Sequence, residues 1–118
     1  MARILVVDDA AFMRMRCKKL LTQLGHEVME AATGSQAVEA YKKNPSDMVL
    51  LDITMPDMDG ITALKEIREF DPNARVAMVT AMGQQSMVME ALKAGARDFV
   101  IKPFDQDRVL AAIKKIMA

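Results

Sequence analysis

The sequence predicts an α/β fold, a doubly wound five-stranded parallel sheet with five helices distributed over both faces. Three observations point there. Short apolar runs alternate strictly with segments of helical period, and such alternation implies right-handed crossovers between parallel strands. The runs are solidly apolar, as strands covered on both faces are. The chain has 118 residues, room for one domain around one core.

Ile4 to Val7 is the first strand. Met13, Cys17, Leu20, Leu21 and Leu24 then fall at spacings of three and four, which makes one helix face, and Gly25 is a natural C-terminal stop. Glu27 to Ala31 is a weaker second strand. Ala37, Val38 and Tyr41 mark a helix that ends by Asn44-Pro45, because a residue before proline is pushed out of helical conformation. Met48 to Leu51 is the third strand. Ile61, Leu64 and Ile67 repeat at helical period after Asp59-Gly60, and that helix closes at Asp71-Pro72-Asn73. Val76 to Val79 is the fourth strand, followed by an apolar face of Val88, Ala91, Leu92 and Gly95. Phe99 to Ile101 is the fifth, and Val109, Ile113 and Ile116 form the last helix face, with Asp105 as its N-cap. With no internal repeat, low-complexity tract or linker, the expected organisation is a single domain over 1–118 without an output domain.

Polar residues of catalytic type stand just where these strands stop: Asp8 and Asp9 after the first, Asp52 after the third, Thr80 after the fourth and Lys102 after the fifth. The carboxyl ends of strands in an open parallel sheet line one crevice, so residues spread along most of the chain converge on one site. Three crowded carboxylates repel one another. A hard divalent cation held by one or two of them, with water in its other positions, removes the conflict, and this is how Mg2+ is usually bound. Such an ion commonly completes its shell with phosphate oxygens, which makes a phosphoryl group the natural guest. An aspartate beside it can act as nucleophile and become an aspartyl phosphate. Lys102 would neutralise one phosphoryl oxygen as a point charge and Thr80 would donate a hydrogen bond to another.

Composition limits what this site serves. Sixteen basic and sixteen acidic residues give a formal net charge of +0. Bulk charge therefore offers no reason to expect nucleic-acid or membrane binding. The single Cys17 cannot form an internal disulfide, two aspartates interrupt the N-terminal apolar run before a signal-peptide core develops, and no apolar run approaches the roughly 18 residues of a membrane helix. The expected location is the cytoplasm.

In order and spacing, Val-Val-Asp8-Asp9, Leu-Asp52-Ile-Thr-Met-Pro56-Asp-Met-Asp59-Gly60, Val-Thr80-Ala81 and Ile-Lys102-Pro103-Phe104 resemble the receiver domains of two-component response regulators, and the likeness runs from Arg3 to about Met117. It implies the flavodoxin-like, CheY-like strand order 2-1-3-4-5. Position by position, it implies that Asp52 is the phosphoacceptor and a metal ligand, Asp9 a direct Mg2+ ligand, and Asp8 the acid holding a Mg2+-bound water. The backbone carbonyl of Thr54 would be a further ligand, with Mn2+ as a substitute ion. Thr80 and Phe99 resemble the family's switch pair, in which the hydroxyl turns toward the phosphoryl group and the ring moves inward. Ala81 resembles the small residue that leaves the phosphoryl group accessible, Lys102-Pro103 the loop bond that is cis in the family, and Thr54 and Met82 its rate-tuning positions.

Asp8-Asp9-Ala-Ala-Phe-Met-Arg-Met, Asp52-Ile-Thr-Met-Pro and Ala81-Met82-Gly-Gln-Gln-Ser-Met-Val further resemble the stand-alone CheY-type regulators of Gram-positive and thermophilic bacteria. This implies a role in chemotaxis: a histidine kinase as phosphoryl donor, a flagellar motor switch protein reading the surface of the fourth helix, fifth strand and fifth helix, a phosphatase, and a monomeric chain. Two departures bear on mechanism. Phe99 stands where many chemotaxis regulators have Tyr, so only ring packing can report the state, and Thr80 stands where close relatives often have Ser.

Other readings bear on single residues. Asp9 could cap the first helix. Lys102 alone reads as a solvated lysine and Phe99 as a core aromatic. His26 reads as a surface residue between helix and strand, and Cys17 as an inert apolar filler. Most of the twelve methionines fall on apolar faces, whereas Met82, Met87 and Met89 surround the fourth helix, where either helix packing or an adaptable docking surface fits them. A haloacid-dehalogenase-type phosphatase would want a second acid two residues after its nucleophile, where Thr54 stands. A flavin carrier would want hydroxyls where Asp8 and Asp9 stand. The nearest rival is a receiver excised from a multidomain transcriptional or enzymatic regulator, or one acting as a phosphate sink.

Overall fold

The computed structural model describes residues 2–55, 58–81, 84–102 and 105–117. In chain order the elements are β1 (Arg3–Val7), α1 (Ala11–Gln23), β2 (Glu27–Ala31), α2 (Gly34–Lys43), β3 (Met48–Asp52), α3 (Gly60–Phe70), β4 (Val76–Ala81), α4 (Gln85–Lys93), β5 (Asp98–Lys102) and α5 (Gln106–Met117). Every strand pairing is parallel, and the order across the sheet is β2-β1-β3-β4-β5. Both the alternation read from the sequence and the strand order implied by the family resemblance are therefore present.

Successive strand residues point to opposite faces, and the two sets bury two separate cores. Leu5, Val7, Val49, Leu51, Val76 and Met78 face α2, α3 and α4, meeting Val38, Tyr41, Ile61, Leu64, Ile67 and Val88. Ile4, Val6, Met48, Leu50, Ala77 and Val79 face α1 and α5, meeting Cys17, Leu21, Val109, Ile113 and Ile116. Burial, with Asp8's negative charge adding to it, pushes the Cys17 thiol up to about 11, which keeps it inert as expected. Phe12 and Met15, by contrast, point outward from α1, at 63% and 61% exposure. Among the described residues no helix is long and apolar enough to cross a membrane.

Local chemistry sets the boundaries. Gly25 has φ 90 just past α1, with Gly25 N–H donating to Thr22 O and His26 N–H to Leu21 O, the paired bonds of a glycine-terminated helix. Asp59 caps α3 by accepting from Thr62 N–H at 2.8 Å, and Asp105 caps α5 by accepting from Arg108 N–H at 2.9 Å. Three strands run one or two residues further than their apolar runs suggest. The ladder continues through Asp52 opposite Val79, Thr80 opposite Ile101 and Ala81 opposite Lys102, because a parallel ladder is held by backbone groups whatever the side chain. Asp52 and Lys102 are thus the last residues of their strands and Thr80 the last but one of its own, all three held by the sheet itself.

Gly60 sits where α3 passes close to the end of β3. A Cβ there would run into the Asp52 carbonyl oxygen and lie 2.7 Å from Ile53 Cα. Both are backbone atoms, so no side chain can swing aside. Gly60→Ala is expected to cost about 3 kcal/mol, the upper range for an overpacked site. Urea denaturation checks this, and a midpoint matching the parent's would contradict it.

Candidate functional site

The strand order reverses between β1 and β3, and the crevice beyond their carboxyl ends is where open α/β sheets bind ligands. Asp8 is the first residue past β1. Its N–H still donates to Ala31 O at 3.2 Å, and its Oδ1 accepts from Ala10 N–H at 2.9 Å, which fixes the side chain. Asp52 closes β3. Asp8 and Asp52 are both 5% exposed, while Asp9 beside them is open to solvent. Ala10 stands at the N-cap of α1 and makes no side-chain cap bond, so Asp9 is not spent on capping that helix.

Asp8, Asp9 and Asp52 each offer a carboxylate oxygen, and these oxygens lie within 4.8 Å of one another. Ligands about 2.1 Å from Mg2+ form an octahedron roughly 4.2 Å across, so a slight contraction lets the three acids share one ion or its waters. An all-oxygen, all-carboxylate donor set suits a hard cation of that kind. Thr54, exposed, lies on the loop after β3, where its N–H is 3.4 Å from Asp52 Oδ1.

Lys102 comes from β5, two strand spacings or roughly 10 Å from β3. Only a long side chain reaches back. Its Nζ donates to Asp8 Oδ2 at 2.9 Å and to Asp52 Oδ2 at 3.2 Å. Burial holds the Asp52 carboxyl above the usual carboxylate range, with Lys102 pulling it down and Asp8 pushing it up. For Lys102 burial disfavours the ammonium, but the hydrogen bond to Asp8 and the charge of Asp52 outweigh this and hold it above the ordinary lysine value. One ammonium facing three carboxylates leaves the crevice negative and ready for a cation.

Thr80, 2% exposed, closes the gap on β4. Its hydroxyl donates to Gln84 Oε1 at 2.7 Å. Phe99 on β5 is half-buried against the α2–α4 side core and lines an apolar cavity of about 180 Å³ with Val88, Met89, Leu92 and Ile101. Met87 packs against the core, which settles it as packing, while Met89 is 56% exposed beside the cavity. Ala81 is exposed at the end of β4. His26 accepts a hydrogen bond from Ala2 N–H through Nδ1 and stays far from the acids in the fold's opposite end, between α1 and β2. Pro103, Met82 and Pro56 lie outside the described residues.

The model of the response regulator receiver domain family matches residues 4–114. The chain belongs to this family. Among curated relatives of this receiver, the chemotaxis protein CheY of Bacillus subtilis is 61% identical over 116 residues, covering 98% of this chain and 97% of that protein. The chemotaxis protein CheY of Thermotoga maritima is 56% identical over 115 residues, covering 97% and 96%. Among solved structures, a CheX-CheY-BeF3-Mg+2 complex from Borrelia burgdorferi matches with TM-score 0.93 at 41% identity, covering 98% of this chain and 89% of that one. A receiver is a signalling switch, and these relatives put this one among response regulators of chemotaxis.

Gln84, among the described residues, belongs to the receiver's crevice although nothing in the sequence marks it. Its amide touches Thr80, Ala81 and Thr54 together. A lone glutamine in a loop carries no chemical signal, and only the folded geometry shows the convergence.

Proposed function

We propose that this receiver accepts a phosphoryl group on Asp52 from a histidine kinase and, so modified, presents its α4-β5-α5 surface to a flagellar motor switch protein. The observation that carries this reading is the meeting of Asp8, Asp9 and Asp52 with Lys102 bridging two of them across the sheet. A Mg2+ held by Asp8, Asp9, Asp52 and the Thr54 carbonyl, with Mn2+ able to replace it, would offset the charge of an incoming phosphoryl group. An Asp52 carboxylate oxygen attacks phosphorus, the bond from phosphorus to the donor nitrogen breaks, and the imidazole leaves with the electron pair and takes a proton. Attack by water on phosphorus later releases inorganic phosphate and restores the carboxylate.

In this reading Lys102 and Thr80 each bind a phosphoryl oxygen, Phe99 fills space inward as Thr80 turns, and exposed Ala81 leaves the approach open. The α4-β5 cavity and exposed Met89 supply an adaptable apolar surface for an amphipathic segment of the motor protein. A CheX-type phosphatase would engage the phosphorylated form. The coverage of the chemotaxis relatives almost end to end fits a single receiver domain over the residues given, and in this reading it acts as a cytoplasmic monomer.

Asp9 tests the metal assignment. In the parent, intact mass after acetyl phosphate is expected to rise by one phosphoryl group with Mg2+ and not with EDTA. Asp9→Ala is expected to weaken Mg2+ binding at least tenfold, the scale on which loss of one charged ligand contact acts, and to slow both gain and loss of the group. Unchanged Mg2+ affinity would remove Asp9 from the ligand set.

A further inference from the structure

We propose that Gln84 is a latch on the switch hydroxyl: it holds Thr80 in the unphosphorylated arrangement and passes its release to the start of α4. This rests on the phosphorylation reading above and adds the positioning residue through which it is regulated. Gln84 Oε1 accepts from the Thr80 hydroxyl at 2.7 Å and from Ala81 N–H at 2.9 Å. A backbone N–H can only donate, so the second contact fixes which end of the amide faces β4. The amide nitrogen then donates to Thr54 Oγ1 at 2.9 Å and lies 3.8 Å from Met87 Sδ. One side chain thus ties the loop beyond the acceptor aspartate to the end of β4 and to α4.

The Thr80 hydroxyl has a single proton. Its short contact is to Gln84, with the Ala81 carbonyl a longer acceptor at 3.2 Å. To donate to a phosphoryl oxygen on Asp52, that proton must leave Gln84. The two acceptors compete, and the exclusion makes the contact a latch. Thr80 is buried, so water is poorly placed to stand in for either acceptor. Gln84 immediately precedes α4 and makes no side-chain cap bond there, so the amide's bonds serve Thr80, Ala81 and Thr54 rather than the helix end. Gln84 also lines the apolar cavity with Phe99 and Ile101, which puts the release at the edge of the proposed docking surface.

The test is the rate of phosphorylation by acetyl phosphate with Mg2+, followed by intact mass in the parent, Gln84→Leu, Thr80→Val and the double variant, each checked for fold by circular dichroism. Freeing Thr80 raises the fraction of chains ready to receive the group. Gln84→Leu is expected to react roughly twofold to tenfold faster than the parent, the factor one net hydrogen bond supplies. In the Thr80→Val background the same change is expected to do nothing. Equal rates for Gln84→Leu and the parent, or an acceleration that persists undiminished without the Thr80 hydroxyl, would overturn the latch while leaving phosphorylation itself intact. A parent chain that takes up no phosphoryl group would instead overturn the reading beneath it, and the latch with it. A second readout needs no variant: beryllofluoride with Mg2+ is expected to shift the side-chain amide NMR signals of Gln84, and their constancy while backbone signals around Asp52 move would overturn the latch.

Discussion

Asp52→Asn is expected to abolish phosphoryl uptake from acetyl phosphate and, in EDTA, to melt a few degrees above the parent. Asparagine keeps the shape but offers no anionic oxygen to attack phosphorus. The stability gain comes from charge. Burial, opposed by Lys102 and reinforced by Asp8, holds the Asp52 carboxyl above its usual range. A carboxyl that binds its proton more tightly folded than unfolded favours folding below the unfolded value, and loses that contribution as pH rises through the folded one. At neutral pH without metal the ionised group therefore costs stability, and asparagine removes the cost. A gain of about 1 kcal/mol corresponds to a few degrees in a domain of this size. The gain is expected to shrink as pH falls toward the unfolded carboxylate value. An EDTA melt of Asp52→Asn below the parent's would contradict this electrostatic account, and labelling equal to the parent's would contradict the acceptor assignment.

Lys102→Ala is expected to separate modification from output. The ammonium is the direct counter-ion of Asp8 and Asp52, whose side chains are only 8% exposed, while Lys102 itself is 24% exposed. Its removal is expected to cost about 1–2 kcal/mol in EDTA, less than the roughly 3–5 of a fully buried pair. Because the folded-state pKa of Lys102 is raised, its contribution is complete below the unfolded lysine value and lost only above it, so the deficit is expected across the whole neutral range. Mg2+ is expected to bind the variant more tightly, having lost a competing cation, and to recover much of the stability. Phosphorylation is expected to continue more slowly. Binding to a motor switch protein, followed by calorimetry, is expected no longer to increase with it, since a ligand shifts two states only through contacts that differ between them. Normal phosphorylation-dependent binding would contradict that coupling role.

What the sequence could reveal depended on how local the cause was. Apolar period, Gly25 and the capping Asp59 and Asp105 act within a turn or two of chain, and each stands where the pattern puts it. The acids and Lys102 were legible because the fold class converts the end of a strand into a place at one crevice. The strand ends lie beyond their apolar runs, since ladder bonds extend through polar residues that hydrophobicity cannot see. Phe12 and Met15, which the three-and-four spacing of Met13, Cys17, Leu20, Leu21 and Leu24 leaves off the buried face of α1, are apolar side chains left in solvent. Buried Asp98, paired with Arg108 and Lys115 of α5, and the Gln84 contacts depend on separated parts of the chain meeting, and no local pattern carries them.

The most direct test of the central claim is to treat the chain with acetyl phosphate and Mg2+, reduce it with borohydride, which converts an aspartyl phosphate to homoserine, and map the peptides by mass. Homoserine at position 52 alone is the expected result. Homoserine at another aspartate, or a fully folded chain with none, would contradict it.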